Sequence, residues 1–68
     1  MADYLEVRSN YHDNGKTFID AWKTMDDEEE GEVVAYVHDD GRVEWVNDDA
    51  RESKLVNEEI QSVLKELN

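Results

Sequence analysis

The chain has no cysteine, no proline and three glycines, and its 7 Lys and Arg are outnumbered by 19 Asp and Glu. Each shortage excludes something. Without cysteine the chain is neither a disulfide-stapled mini-protein nor a thiolate zinc site. Gly15, Gly31 and Gly41 stand alone, so no glycine-rich loop can cradle a phosphate. No stretch approaches the ~18 apolar residues of a membrane span, and the opening MADYLEVRSN lacks the basic-then-apolar order of a signal peptide. A net charge of −12 repels phosphate and does not release its counterions. These absences lead us to expect a cytoplasmic protein that binds neither membrane nor nucleic acid directly.

At 68 residues the chain is expected to form one acidic domain over 1–68. A domain of that size hides roughly 60% of the surface its unfolded chain exposes. Leu, Ile, Val and Phe supply 15 of the 68 residues, just above the level of about 20% below which highly charged chains stay disordered. Two Trp and three Tyr add burial capacity. The expectation is a folded but thinly cored domain, for which a homodimer is a natural enlargement.

The charge is concentrated. Residues 26–49 hold eleven acids, Asp26, Asp27, Glu28, Glu29, Glu30, Glu32, Asp39, Asp40, Glu44, Asp48 and Asp49, against the single base Arg42. That third of the chain carries −10, and the rest carries −2. A surface built only for solubility mixes its signs, whereas single-sign clustering builds a directed field that attracts a cationic partner. These eleven residues are the candidate partner-binding set.

Along the first 25 residues, Phe18, Trp22 and Met25 have helical spacing, but Asn14-Gly15 is a strong hairpin signal. A two-residue loop there pairs Asp13 with Lys16, Tyr11 with Phe18, Val7 with Trp22 and Glu6 with Lys23, which are favourable cross-strand combinations. This register predicts strands near 3–12 and 17–25, with Leu5, Val7, Tyr11, Phe18 and Trp22 on one face. Residues 26–31 interrupt the periodicity and read as a loop. EVVAYVH (32–38) and RVEWVN (42–47) read as two more strands around a three-residue Asp39-Asp40-Gly41 loop, which pairs Val37 with Val43 and Ala35 with Trp45. Val33, Ala35, Val37, Val43 and Trp45 then share one face. The opposite face holds Val34, Tyr36 and Val46, a candidate dimer or partner interface. Val56, Ile60, Val63, Leu64 and Leu67 recur at steps of three and four and predict a C-terminal amphipathic helix. Asp49-Ala50-Arg51-Glu52 resembles a capping box, with Ser53 as the alternative cap. The fold class is therefore α+β: a four-stranded antiparallel β-meander (ββββα) with one C-terminal helix packed on one face.

Enzyme motifs are absent. Ser9, Ser53 and Ser62 have no nucleophile motif around them, and His12 and His38 read as exposed residues beside turns. Aligning Gly15 or Gly41 with the glycine of a calcium-binding EF-hand loop puts the wrong residues at the ligand positions. No metal, cofactor or catalytic residue is expected. Trp22 and Trp45 read as the largest core residues, or as anchors in an interface.

With its acidic run Asp26–Glu30 and Glu32, and its acidic turns Asp39/Asp40 and Asp48/Asp49, the chain resembles phage-encoded DNA-mimic proteins. It is most similar to the small acidic inhibitors of the bacterial nucleoid protein HU. The resemblance lies in size and charge across the whole chain. It implies a non-enzymatic inhibitor that occupies the basic DNA-binding surface of a host protein in the bacterial cytoplasm. Physically, duplex DNA shows one negative charge per ~1.7 Å of axis, and carboxylates at i and i+2 on a strand lie about 6.6 Å apart. The alternatives are a small interaction module that docks by its apolar sheet face, and an inhibitor of a basic nuclease or toxin.

Overall fold

The structure, a computed structural model, describes residues 4–23 and 31–67. Four strands, β1 (Glu6–His12), β2 (Lys16–Trp22), β3 (Glu32–His38) and β4 (Val43–Trp45), form one antiparallel sheet in the order β1-β2-β3-β4. A short 3₁₀ turn (Asp48–Glu52) leads into helix α1 (Lys54–Leu67). This is the α+β, ββββα fold expected from the sequence. Residues 26–30 of the acidic run lie outside the described residues.

Helix α1 packs against β1, β2 and β3. It buries Val56, Ile60 and Val63 against Ile19, Ala21, Val34, Ala35 and Val37, with Tyr4 and Ala50 in the same cluster. Ser9 Oγ donates to Glu59 Oε2 at 2.9 Å, tying the helix to β1. Glu58, Gln61, Ser62, Lys65 and Glu66 stay exposed, so the 3.6-residue stripe sets the packing face through Val56, Ile60 and Val63, with Leu64 half-buried and Leu67 exposed at the helix end.

The first hairpin differs from the expected register by one residue. Its loop has three residues, Asp13-Asn14-Gly15. The Gly15 N–H donates to the His12 carbonyl at 3.3 Å, and Gly15 takes φ +80°. His12 therefore pairs with Lys16, Asn10 with Phe18, Arg8 with Asp20 and Glu6 with Trp22. This shift reverses the faces of β2 relative to β1. Thr17, Ile19 and Ala21 turn to the helix and are buried, while Phe18 and Trp22 stand on the other side, away from Val7 and Tyr11. The chemistry favours this choice. Asp20 lies between Phe18 and Trp22 on the same face, and burying that face would bury a carboxylate.

The second hairpin has the expected register, Val37 to Val43 and Ala35 to Trp45. Its loop repeats the geometry of the first. The Gly41 N–H donates to the His38 carbonyl at 2.9 Å, and Gly41 takes φ +93°. In sequence the two turns are nearly the same pentapeptide, His12-Asp-Asn-Gly-Lys16 and His38-Asp-Asp-Gly-Arg42. A type I turn followed by a left-handed glycine is the usual three-residue hairpin, and both turns adopt it.

A β-bulge interrupts the β2–β3 ladder. Ile19 pairs with Ala35, and the next residue, Asp20, pairs with Val33, which leaves Val34 extra in β3. Val34 and Ala35 both turn inward and are fully buried. Val34 is thus a core residue and not part of an exposed interface, and Val33 moves from the helix side to the open side. The Val34 carbonyl accepts from the Val46 N–H at 2.9 Å and the Asn47 N–H at 3.1 Å, satisfying the bulge where β4 ends.

The helix start also departs from the expected capping box. Asn47, not Asp49, caps the 3₁₀ turn, its Oδ1 accepting the Asp49 N–H at 3.0 Å. Helix α1 begins after Ser53, whose Oγ accepts the Val56 N–H at 3.4 Å.

Candidate functional site

The helix leaves one sheet face open among the described residues. Strand alternation and the registers above place four rows of side chains on it. From one end these are Glu6 and Trp22; Arg8, Asp20 and Val33; Asn10, Phe18, Tyr36 and Glu44; and His12, Lys16 and His38. The His12 ring stacks on Phe18, with centroids 3.8 Å apart. Phe18 meets Tyr36 edge-on at 4.7 Å. Lys16 Nζ lies 5.0 Å from the Tyr36 ring centre, and the Arg8 guanidinium 5.3 Å from that of Trp22. Arg8 also pairs with Glu6 at 2.9 Å, Asn10 donates to Asp20, and His38 Nε2 lies 3.4 Å from Glu44 Oε1. A shallow groove of about 660 Å³ runs across this face between Trp22, Val33, Phe18 and His12.

The acids gather at the two ends of the sheet. At the hairpin tips, the Asp39 N–H donates to the Gly15 carbonyl at 3.0 Å, bringing the two turns together. Tyr11 Oη donates to Asp39 Oδ2 at 3.4 Å. The negative charge of Asp39, reinforced by Asp13, raises the Tyr11 pKa above its ordinary value. Asp40 accepts the Arg42 backbone N–H at 3.0 Å and its guanidinium Nε at 2.8 Å, and these bonds lower its carboxyl pKa. At the opposite end, Glu32 Oε1 accepts from Asn47 Nδ2 at 3.4 Å, and Lys23 lies 3.9 Å from Glu32 Oε2. Asp48 and Asp49 follow immediately in the chain. Their end of the sheet is marked by Tyr4, whose pKa is raised by burial and then by the charges of Glu32 and Asp49.

The described acids of the candidate set therefore form two groups, Asp39 and Asp40 at the tips and Glu32, Asp48 and Asp49 at the far end, with Glu44 on the open face near the tips. The six steps of β3 between Glu32 and His38 separate the groups by about 20 Å. Asp26, Asp27, Glu28, Glu29 and Glu30 lie outside the described residues. Of the expected apolar interface, Tyr36 lies on the open face and Val46 is 52% exposed just past β4, while Val34 is buried. Phe18, Trp22, Val33 and His12 take its place. The repeated His-Asp-Asx-Gly-base pentapeptide was the signal for this, since equal turns imply equal loop lengths and thus the shifted face of β2.

Ser9 and Ser53 are engaged in structural bonds to Glu59 and the helix start. Among the described residues no three His, Asp or Glu side chains converge as metal ligands, and no helix is long and apolar enough to cross a membrane. Comparison with protein-family models, with curated proteins and with solved structures found no match.

Proposed function

We propose that the chain is a non-enzymatic inhibitor that stands in for DNA on the basic, DNA-binding surface of a host protein, with the nucleoid protein HU as the leading target, in the bacterial cytoplasm. The observation that carries this reading is the display of carboxylates at both ends of a hydrogen-bonded sheet, about 20 Å apart. A DNA-binding protein aims Lys and Arg at phosphates held on a stiff scaffold. Carboxylates on tight turns offer the same charge with little left to order on binding. They are also poorly neutralised from within: Asp48 and Asp49 make no ion pair among the described residues, and the Asp40–Arg42 and Glu32–Lys23 pairs are exposed and therefore weak.

The test is binding of purified HU at two salt concentrations, with duplex DNA as competitor. Five or so charge contacts predict an affinity loss of roughly 10²–10³-fold between about 50 and 200 mM salt. DNA should displace the chain. Neutralising Glu32, Asp39, Asp40, Asp48 and Asp49 to Gln or Asn should abolish binding with the far-UV circular dichroism unchanged. Binding that ignores salt and DNA overturns the reading. Salt-sensitive capture of a basic nuclease or toxin in place of HU would keep the charge mechanism and change the target.

A second reading, docking by a sheet face, is favoured by the half-buried Phe18, Tyr36 and Trp22 cluster, which no other element among the described residues packs over.

A further inference from the structure

We propose that the open sheet face is a homodimer interface, closed by a second copy of this chain. The proposal is independent of the identity of any inhibited partner. The centre of the face is apolar, with Phe18, Tyr36, Trp22 and Val33 around the groove, and no described residue covers it. Its charge is what selects the occupant. Glu6, Asp20 and Glu44 face Arg8 and Lys16, so the face carries only −1 with both histidines neutral, against −12 for the whole chain. It is the surface on which two such acidic chains repel least.

The charge is uneven along the strands: Lys16 and Glu44 cancel toward the hairpin tips, where His12 and His38 also lie, whereas Glu6 and Asp20 outnumber Arg8 toward the other end. A two-fold axis lying in the plane of the interface and running across the strands sets each end of one copy against the opposite end of the other. Lys16 of one copy then approaches Glu6 and Asp20 of its mate, and the aromatic centres meet on the axis. Other occupants fit less well. A basic surface would meet Arg8 and Lys16, which already lie over the Trp22 and Tyr36 rings. A strongly acidic one would meet the field of the chain as a whole. In this dimer, Asp13, Asp39 and Asp40 of one copy lie at the same end as Glu32, Asp48 and Asp49 of the other.

Sedimentation equilibrium of the full chain tests this from about 10 μM to about 1 mM, in about 0.05 and 0.5 M salt. The expected result is a monomer–dimer equilibrium that tightens with salt, because screening relieves the repulsion between two copies of charge −12. That response is opposite to the one expected for a complex with a basic protein, so either proposal can fail without the other. The double variant Phe18→Ser/Tyr36→Ser should stay monomeric throughout. Lys16→Glu, which keeps the Phe18, Tyr36 and Trp22 side chains themselves, should weaken the dimer roughly tenfold, the scale of one close charge pair at an interface. A wild-type monomer at about 1 mM, or a dimer that is as tight in Lys16→Glu as in the wild type, overturns the proposal.

Discussion

The Trp22 indole rests directly on Gly31: a Cβ built on that glycine would lie 2.7 Å from the ring and 2.8 Å from the Ala21 carbonyl oxygen. Gly31 is thus the floor beneath the largest aromatic of the open face, and Arg8 approaches the same ring. Gly31→Ala forces either the indole or the chain to move. The expected cost is about 1–3 kcal/mol, typical of an overpacked site. Thermal unfolding followed by circular dichroism measures the loss, and tryptophan fluorescence should shift to the red as the ring is lifted into solvent.

Ile19 carries a large share of the core. It is fully buried, and its neighbours across the core are mostly valine and alanine. Ile19→Ala should cost about 2–5 kcal/mol. A chain of this length has roughly 3–10 kcal/mol of total stability, so the variant should be largely unfolded at 37 °C. Urea titration of the two proteins gives the difference directly.

Gly15 and Gly41 take the same role in two turns but meet different surroundings. A Cβ at Gly41 finds open space, whereas one at Gly15 lies 3.5 Å from Asp39 Oδ2. Both positions have left-handed φ. Alanine at either should cost about 1–2 kcal/mol from backbone strain alone, with asparagine costing less. Matching losses at the two sites, measured by thermal unfolding, would show that the turns are energetically as well as geometrically equivalent.

Fold class, strand order and the β3–β4 register were legible from β-branched runs, turn glycines and one helical stripe. The β1–β2 register was not, because Asn-Gly invites a two-residue loop and the mistaken pairing still joined Asp13 to Lys16 and Val7 to Trp22. The deciding clue was Asp20, which a buried Phe18–Trp22 face cannot accommodate. Val34 was illegible for another reason: nothing in Glu32-Val-Val-Ala-Tyr signals which valine becomes the extra residue. That choice depends on the partner strand, where Ile19 and Asp20 demand opposite environments. The acids were easy to list, but their division between two ends of the sheet follows only from the strand lengths.

Tyr4 is buried, and its hydroxyl has no hydrogen-bond partner among the described residues. Burial and the charges of Glu32 and Asp49 raise its pKa above the usual value near 10. The native state therefore holds its proton more tightly than the unfolded chain does. The resulting stability is complete below about pH 10 and is lost as pH rises through the folded value. Tyr4→Phe should remove that alkaline loss. At neutral pH it should be neutral or stabilising by about 1 kcal/mol, since an unsatisfied hydroxyl is removed. Urea midpoints at pH 8 and pH 11, in about the same ionic strength for both proteins, provide the comparison.

The extra residue at Val34 gives the sheet a phase boundary. On the hairpin-tip side of it, odd-numbered positions of β3 point to the helix; on the other side the assignment reverses. An insertion or deletion confined to one side would invert only that half of β3. The half nearer Glu32 could therefore change which residues it shows to solvent while the tips kept their aromatic stack and paired turns.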